Sequence, residues 1–295
     1  MVERVIVAVD GGPASAAALS WVIERARTVE VAVEITTVAG IGTGFPLGAE
    51  GDFRAIHDQI VADAADSVRT AAPDLVVSTR VRFGLPHEAI VRASQNADLL
   101  VIGTNKTSPA AGIIHGTLPL KVAGRAGCVT VVVPAAWGHA LGPVIAGWSD
   151  DETAERALDF AADEAGRRDV PLTIVHSWAP PSISAMDDLR PLDTLEQLFA
   201  ADRRRLNESA QRVRDDHPGL VVTCTMLSGS AAVAIVRAAA GASLVVVGSR
   251  GRGAIAELFL GSVSHDVLLN MPAPVAVVPA QHTAVESVAI FGDDW

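Results

Sequence analysis

LVVVGSRGRGAIAELFLGS, residues 244–262, opens with four apolar, mostly β-branched residues and changes character at Gly248. So short a run, apolar at every position and closed by glycine, reads as a strand covered on both faces. Gly248, Gly251 and Gly253 make a loop whose backbone can take positive φ and approach a ligand without interference from Cβ. Arg250 and Arg252 add two cations beside Ser249, which is the chemistry of an anion cradle. Gly261 then leads into SVSHDVLLN, an apolar-periodic helix for which Ser262 is the expected N-cap and Val263 part of the first turn. Free amide hydrogens and the positive end of the helix dipole would face the same loop.

The pattern occurs twice. FGLPHEAIVRASQNADLLVIGT, from Phe83, lies over SGSAAVAIVRAAAGASLVVVGS, from Ser228, so that Gly84 meets Gly229, Ile90 meets Ile235 and Gly103 meets Gly248, each 145 residues apart. At the start of each half the separation is 139, with Val5 over Val144, Leu19 over Leu158 and Ile35 over Ile174. Two copies of one domain are expected: residues 1–136, a linker at 137–142, a second domain at 143–280 and a tail at 281–295. The change of separation assigns an extra loop, Ala179 to Asp193, to the second copy.

Strand-like runs in the first copy are Arg4–Val9, Val31–Val38, Leu75–Val81, Leu99–Ile102 and Cys128–Val133. Helical patterns at Ala14–Thr28, Phe53–Ala71, His87–Gln95 and Leu118–Arg125 separate them. This alternation demands an α/β fold, two tandem doubly wound domains with parallel sheets and helices on both faces.

Composition limits the partners. The chain has 295 residues, a net charge of −11, 49% hydrophobic and 19% charged residues and no Tyr. So acidic a surface argues against nucleic acid and anionic membrane. Met1–Asp10 lacks a signal-peptide layout, and the apolar region Cys128–Trp148 is broken by Pro134, Gly138, Gly142 and Pro143, so a cytoplasmic location is expected. Cys128 and Cys224 have no CxxC or Cys/His neighbour and read as buried thiols, and no metal site is expected.

In open parallel sheets ligands bind beyond the carboxyl ends of the strands, where strand order reverses. Each copy has two suitable loops there: Asp10-Gly11-Gly12-Pro13 or Ser149-Asp150-Asp151 after the first strand, and the glycine loop after the fourth. An acid for ribose opposite glycines for phosphates describes a nucleotide site.

Gly248-x-x-Gly251, nine residues, then Gly261-Ser262 resembles the ATP-binding motif of the universal stress protein family, and VAVDGGPAS, from Val7, resembles that family's first-strand signature. The resemblance implies a five-stranded parallel sheet of order 3-2-1-4-5 in each copy, with ATP at the switch point. It places adenine at backbone positions matching Val38 and Ser177, with Ala8 and Gly147 at the ends of the first strands. It also implies association through the fifth strands, Val129–Val133 and Val275–Val278, which the two halves of one chain can satisfy; a homodimer and an unidentified regulatory protein partner stay open. ADP or AMP would fit the same features, and Mg²⁺ commonly accompanies a triphosphate.

Neither copy holds the complete pattern. The first keeps Asp10, Gly103, Gly116, Thr117 and Leu118 but has Lys106 where the second has Gly251; the second has Ser149 in place of Asp10. Lys106 crowds the phosphate path or serves as a point-charge ligand. Trp148 and Trp178 line the second pocket or cover core, His176 packs or makes a local hydrogen bond, and Asp10 is a ribose ligand or an N-terminal helix acid. No catalytic residue is assigned, because no GxxxxGK[ST] loop and no general acid–base pair stands near the glycines. The expected function is an ATP-binding regulator of the stress response, holding nucleotide at the switch point of the second domain with the first left open, and with a nucleotide-free adaptor or a weak ATPase as alternatives.

Overall fold

The computed structural model describes residues 2–40, 50–105, 118–178, 191–249 and 260–280. The first half runs β1 (Glu3–Ala8), α1 (Pro13–Arg25), β2 (Val31–Ala39), α2 (Glu50–Ala71), β3 (Val76–Phe83), α3 (Pro86–Ser94), β4 (Leu99–Thr104), α4 (Leu118–Ala123) and β5 (Val129–Pro134). The second half repeats it as β6 (Val144–Gly147), α5 (Glu152–Arg168), β7 (Leu172–Trp178), α6 (Pro191–Asp216), β8 (Val222–Ser228), α7 (Ala231–Ala238), β9 (Leu244–Gly248), α8 (Ser262–Leu269) and β10 (Val275–Val278). Even an unusual backbone feature is copied: Gly84 and Gly229 both turn with positive φ, 119° and 110°, a conformation glycine reaches without a Cβ clash.

One sheet contains all ten described strands, in the order β3-β2-β1-β4-β5-β10-β9-β6-β7-β8. Each half has the order 3-2-1-4-5, all parallel, with Val5 of β1 between Val33 of β2 and Leu99 of β4. The halves join where β5 and β10 pair antiparallel, with Ala276 opposite Val131 and Val275 opposite Val132. Two apolar edges are thereby removed from solvent.

Side chains alternate across the sheet. Val5, Val7, Val33, Ile35, Leu99 and Val101 enter one buried cluster that continues into the second half through Val144, Ile174, Leu244 and Val246, under α1, α2, α5 and α6. Ile6, Leu100 and Ile102 point the other way, under α3 and α4. Ile145, Val245 and Val247 do the same under α7 and α8.

Two local expectations are corrected. Ser262 is not the N-cap of α8: Gly261 is, with extended φ −62° and ψ 154°, and no side chain caps it. The chain is drawn in one residue early because the Gly261 N–H donates to Ser249 O at 2.7 Å, and Ser264 Oγ donates back to Gly261 O at 2.9 Å. The segment Ala179–Asp193 is not wholly loop, since α6 begins at Pro191, where proline suits a first helical turn. Residues 179–190 and the tail 281–295 lie outside the described residues.

Candidate functional site

The switch point of the first half lies between β1 and β4, whose connections leave in opposite directions. A crevice of about 400 Å³ opens there, beyond the carboxyl ends of β1, β2 and β4. Its wall includes Ala8 and Asp10 from the end of β1, Val38 from β2, Gly103 from β4 and Leu118 from the start of α4. Those are five of the eight first-copy positions expected from sequence. The other three, Lys106, Gly116 and Thr117, lie outside the described residues.

Asp10 is exposed at the lip. Its Oδ1 accepts from the Gly12 N–H at 2.9 Å and from the Ser15 hydroxyl, while its own N–H donates to Ser15 Oγ at 2.8 Å. These bonds fix the carboxylate without consuming Oδ2. Asp10 thus stands as an acid at the helix N-terminus, two residues before the N-cap: Gly12 occupies the N-cap of α1, without a side-chain cap bond of its own, and Pro13 starts the helix. Gly103 has a structural duty as well, since a Cβ there would come within 2.0 Å of Ala14 O. Its bare backbone lets the first turn of α1 close against β4 and brings Asp10 and Ser15 to the crevice.

Sequence reasoning missed the rest of the wall. His57 of α2 reaches it, with Nδ1 3.2 Å from Thr37 Oγ1, and Pro86 and Ile90 of α3 add apolar surface. Thr36-Thr37 near the end of a strand was a readable polar signal. The rotation that brings His57 over β2 was not, because it depends on how α2 packs.

In the second half the corresponding residues are tied into the scaffold. Ser149 Oγ donates to Asp151 Oδ2 at 2.5 Å, and Asp151 Oδ1 accepts from the Ala154 N–H at 2.9 Å as the N-cap of α5. A Cβ on Gly147 would meet Ile235 Cδ1 at 2.6 Å. Ser177 Oγ donates to Gly229 O at 2.5 Å. Ser249 is buried, donating its N–H to Val278 O at 2.7 Å and accepting from the Ala280 N–H at Oγ, 3.0 Å. Gly248, Ser249 and Gly261 thus form the closed base of the glycine loop, and α8 presents the first-turn amides of Ser262 and Val263, which have no intrahelical acceptor. Arg250, Gly251, Arg252 and Gly253 lie outside the described residues.

Trp148 is buried core, its indole N–H donating to Glu155 Oε1 at 2.7 Å. Trp178 meets Phe199 edge-on with ring centres 5.4 Å apart, and His176 Nδ1 lies 3.1 Å from Trp148 O. Cys128 is buried as expected, but Cys224 is only half-buried, because β8 lies at the edge of the sheet. Burial, with Asp98 nearby, pushes the Cys128 thiol up to about 12, and partial burial raises that of Cys224 against the opposing influence of Arg214. Neither ionises readily at neutral pH. Among the described residues no group of three metal-ligating side chains is assembled, and no helix is long and apolar enough to cross a membrane.

The family model described as "Universal stress protein family" matches residues 1–134 and again residues 142–279. The chain belongs to the universal stress protein family. Two universal stress proteins of Mycobacterium tuberculosis resemble it along their lengths. One is 30% identical over 288 residues, covering 92% of this chain and 96% of the relative; the other is 28% identical over 307 residues, covering 92% and 94%. Among solved structures, a universal stress protein from Archaeoglobus fulgidus superposes with a TM-score of 0.70 at 18% identity, over 94% of this chain and 98% of the other. A protein described as a putative universal stress protein from Pseudomonas aeruginosa gives 0.68 at 17%, over 94% and 93%. At such identities the superpositions speak for the tandem universal stress protein fold alone.

Proposed function

We propose that this universal stress protein is a nucleotide-responsive regulator that holds an adenine nucleotide, ATP in the first instance, at its switch-point crevices. The observation that carries the reading is the first-half crevice. Five positions expected from sequence meet around one cavity, whose 400 Å³ lies within the range of small-molecule sites. The residues fit the ligand: Val38, Ile90 and Ile102 offer apolar surface to a base, Asp10 Oδ2 remains to accept from a ribose hydroxyl, and Thr104, Asn105 and Leu118 flank the entry to the phosphate loop. Backbone groups at Val38 would hold adenine. Lys106, Gly116 and Thr117 would meet the phosphates, with Mg²⁺ sharing their oxygens.

The second half is proposed to cradle phosphate with Gly251, Gly253, Ser262 and Val263, joined by Arg250 and Arg252. Gly248, Ser249 and Gly261, whose Ser249 and Gly261 N–H groups are already bonded within the scaffold, close the base of the loop, and Ser177 stands at the adenine end. Regulation follows if occupied and empty crevices favour different conformations, since a ligand shifts an equilibrium only by its differential affinity.

A nucleotide-free adaptor is the second reading. It is favoured by the second half, where Ser149 and Asp151 are engaged at the cap of α5 and Ile235 fills the space beside Gly147.

Acid release and chromatography of the purified protein, followed by ATP titration with phosphate release monitored, tests these readings together. Two nucleotides per chain are expected. Asp10→Ala should weaken first-half binding by about tenfold, the loss of one hydrogen bond to a charged group, and Gly251→Lys should abolish second-half binding. No nucleotide and no binding would make the adaptor the better reading; steady phosphate release would make the protein an ATPase.

A further inference from the structure

The two halves meet around an approximate two-fold axis. In the sheet, Val131 pairs with Ala276, residues 145 apart and hence the same position of the repeat. Their neighbours exchange roles as a two-fold requires, Val132 with Val275 and Thr130 with Val277. A second such point lies in the helical layer. Helices α1 and α5 begin at Pro13 and Glu152, and Arg25 and Glu164 lie the same 139 residues apart, so they too share one repeat position. There the copies differ in charge, and the two residues touch: Arg25 Nη1 donates to Glu164 Oε1 at 2.6 Å, with side chains 2% and 1% exposed.

Each member is held from its own half. Glu3 takes Nε and Nη2 of Arg25 at 2.7 and 2.9 Å, and Arg167 and Arg168 approach Glu164 at 3.2 and 3.4 Å. Arg168 also crosses the seam, lying 3.7 Å from Glu24 and 5.4 Å above the ring of Trp21. The repeat counterpart of Arg168 in the first half is Val29, which supplies no cation.

We infer that Arg25 and Glu164 make this seam selective for an unlike half, so that a first half accepts a second half and rejects another first half. Two first halves brought together around the same axis would set Arg25 against Arg25 in a buried site, with donors facing donors. Two second halves would set Glu164 against Glu164. Each charge would keep the partners of its own half, Glu3 for Arg25 and Arg167 with Arg168 for Glu164, but two like charges would meet in a buried site, whereas the opposed pair attracts. Identical copies could not achieve this, because a residue on a true two-fold meets itself. The fifth-strand backbone pairing carries no such discrimination, since its hydrogen bonds are the same for any sequence. Selection therefore resides in the helical layer.

Full-length Arg25→Glu and Glu164→Arg chains test the inference. Each alone has like charges at its own seam, while a mixture restores one native Arg25–Glu164 contact between chains. Tagged and untagged chains are refolded together and the untagged chain retained on the tag resin is measured. The expected result is retention of the Arg25→Glu with Glu164→Arg mixture at least fivefold above wild type with wild type, and no such rise when either variant is mixed with itself. The readout holds even if neither variant folds alone, because the mixture then rescues both. Equal retention in the self-mixtures, or no retention of the mixed pair, overturns the inference.

Discussion

Gly103 and Asp10 show how much a single position decides. Repeat and motif marked Gly103 as a phosphate-loop glycine, yet in the structure it is needed first for the approach of Ala14, whose carbonyl oxygen a Cβ would meet at 2.0 Å. Gly103→Ala should cost roughly 3 kcal/mol of stability, because the obstacle is backbone and cannot swing aside. Equilibrium denaturation checks it, and a loss below about 1 kcal/mol would show that α1 shifts freely. Asp10 belongs to the opposite class. It is exposed, so its removal should cost only its bonds to the Gly12 N–H and the Ser15 hydroxyl, about 1 kcal/mol of stability, while altering nucleotide affinity.

Among the elements, α5 differs from its counterpart α1 at the N-terminus, and the difference is readable in hydrogen bonds. Helix α1 starts at Gly12 with no side-chain cap, leaving Asp10 at the crevice lip; α5 starts at Asp151, which caps it and also binds Ser149. The same loop thus places an acid at the crevice lip in one copy and at the N-cap of its own helix in the other. Asp151→Ala should destabilise the protein by about 1 kcal/mol, and Asp151→Asn should recover most of that, as expected for an N-cap. Paired denaturation curves decide, and equal losses for the two variants would remove the cap as the cause.

At the scale of the whole molecule, one sheet and one buried ion-pair network tie the halves together. Val275 and Val277 are fully buried at its middle. A Val275→Asp, Val277→Asp chain should lose about 4 kcal/mol or more and expand in solution, which small-angle scattering with denaturation would register. The network also sets a pH dependence. Burial alone would raise the Glu164 carboxyl, but Arg25, Arg167 and Arg168 outweigh it and hold it below the usual range. Hydrogen bonds from Ser209, Trp148 and Arg212 likewise outweigh burial at Glu155, and bonds from Arg4 lower Asp98. A carboxyl lowered on folding stabilises the native state above its unfolded value and loses that contribution as pH falls through the folded one. Stability should hold near neutrality and decline below about pH 5. Glu164→Gln should flatten that decline while lowering the midpoint at pH 7; an unchanged slope would place the titration elsewhere.

The sequence by itself determined the repeat, the parallel α/β class and the loops that face the switch point. Each of these is written locally: in the apolar run Leu244–Val247, in glycines at fixed spacing and in the separations of 139 and 145 residues. Family membership and strand order followed from the same marks. What only the tertiary structure decided depends on residues distant in the chain. Packing of α2 on β2 brings His57 to the crevice, the hydrogen bond from Gly261 to Ser249 shifts the cap of α8, and the seam sets Arg25 against Glu164. A local pattern records which face of an element is buried, but not what lies against it, and so the seam's charged pair could not be read until both halves were in place.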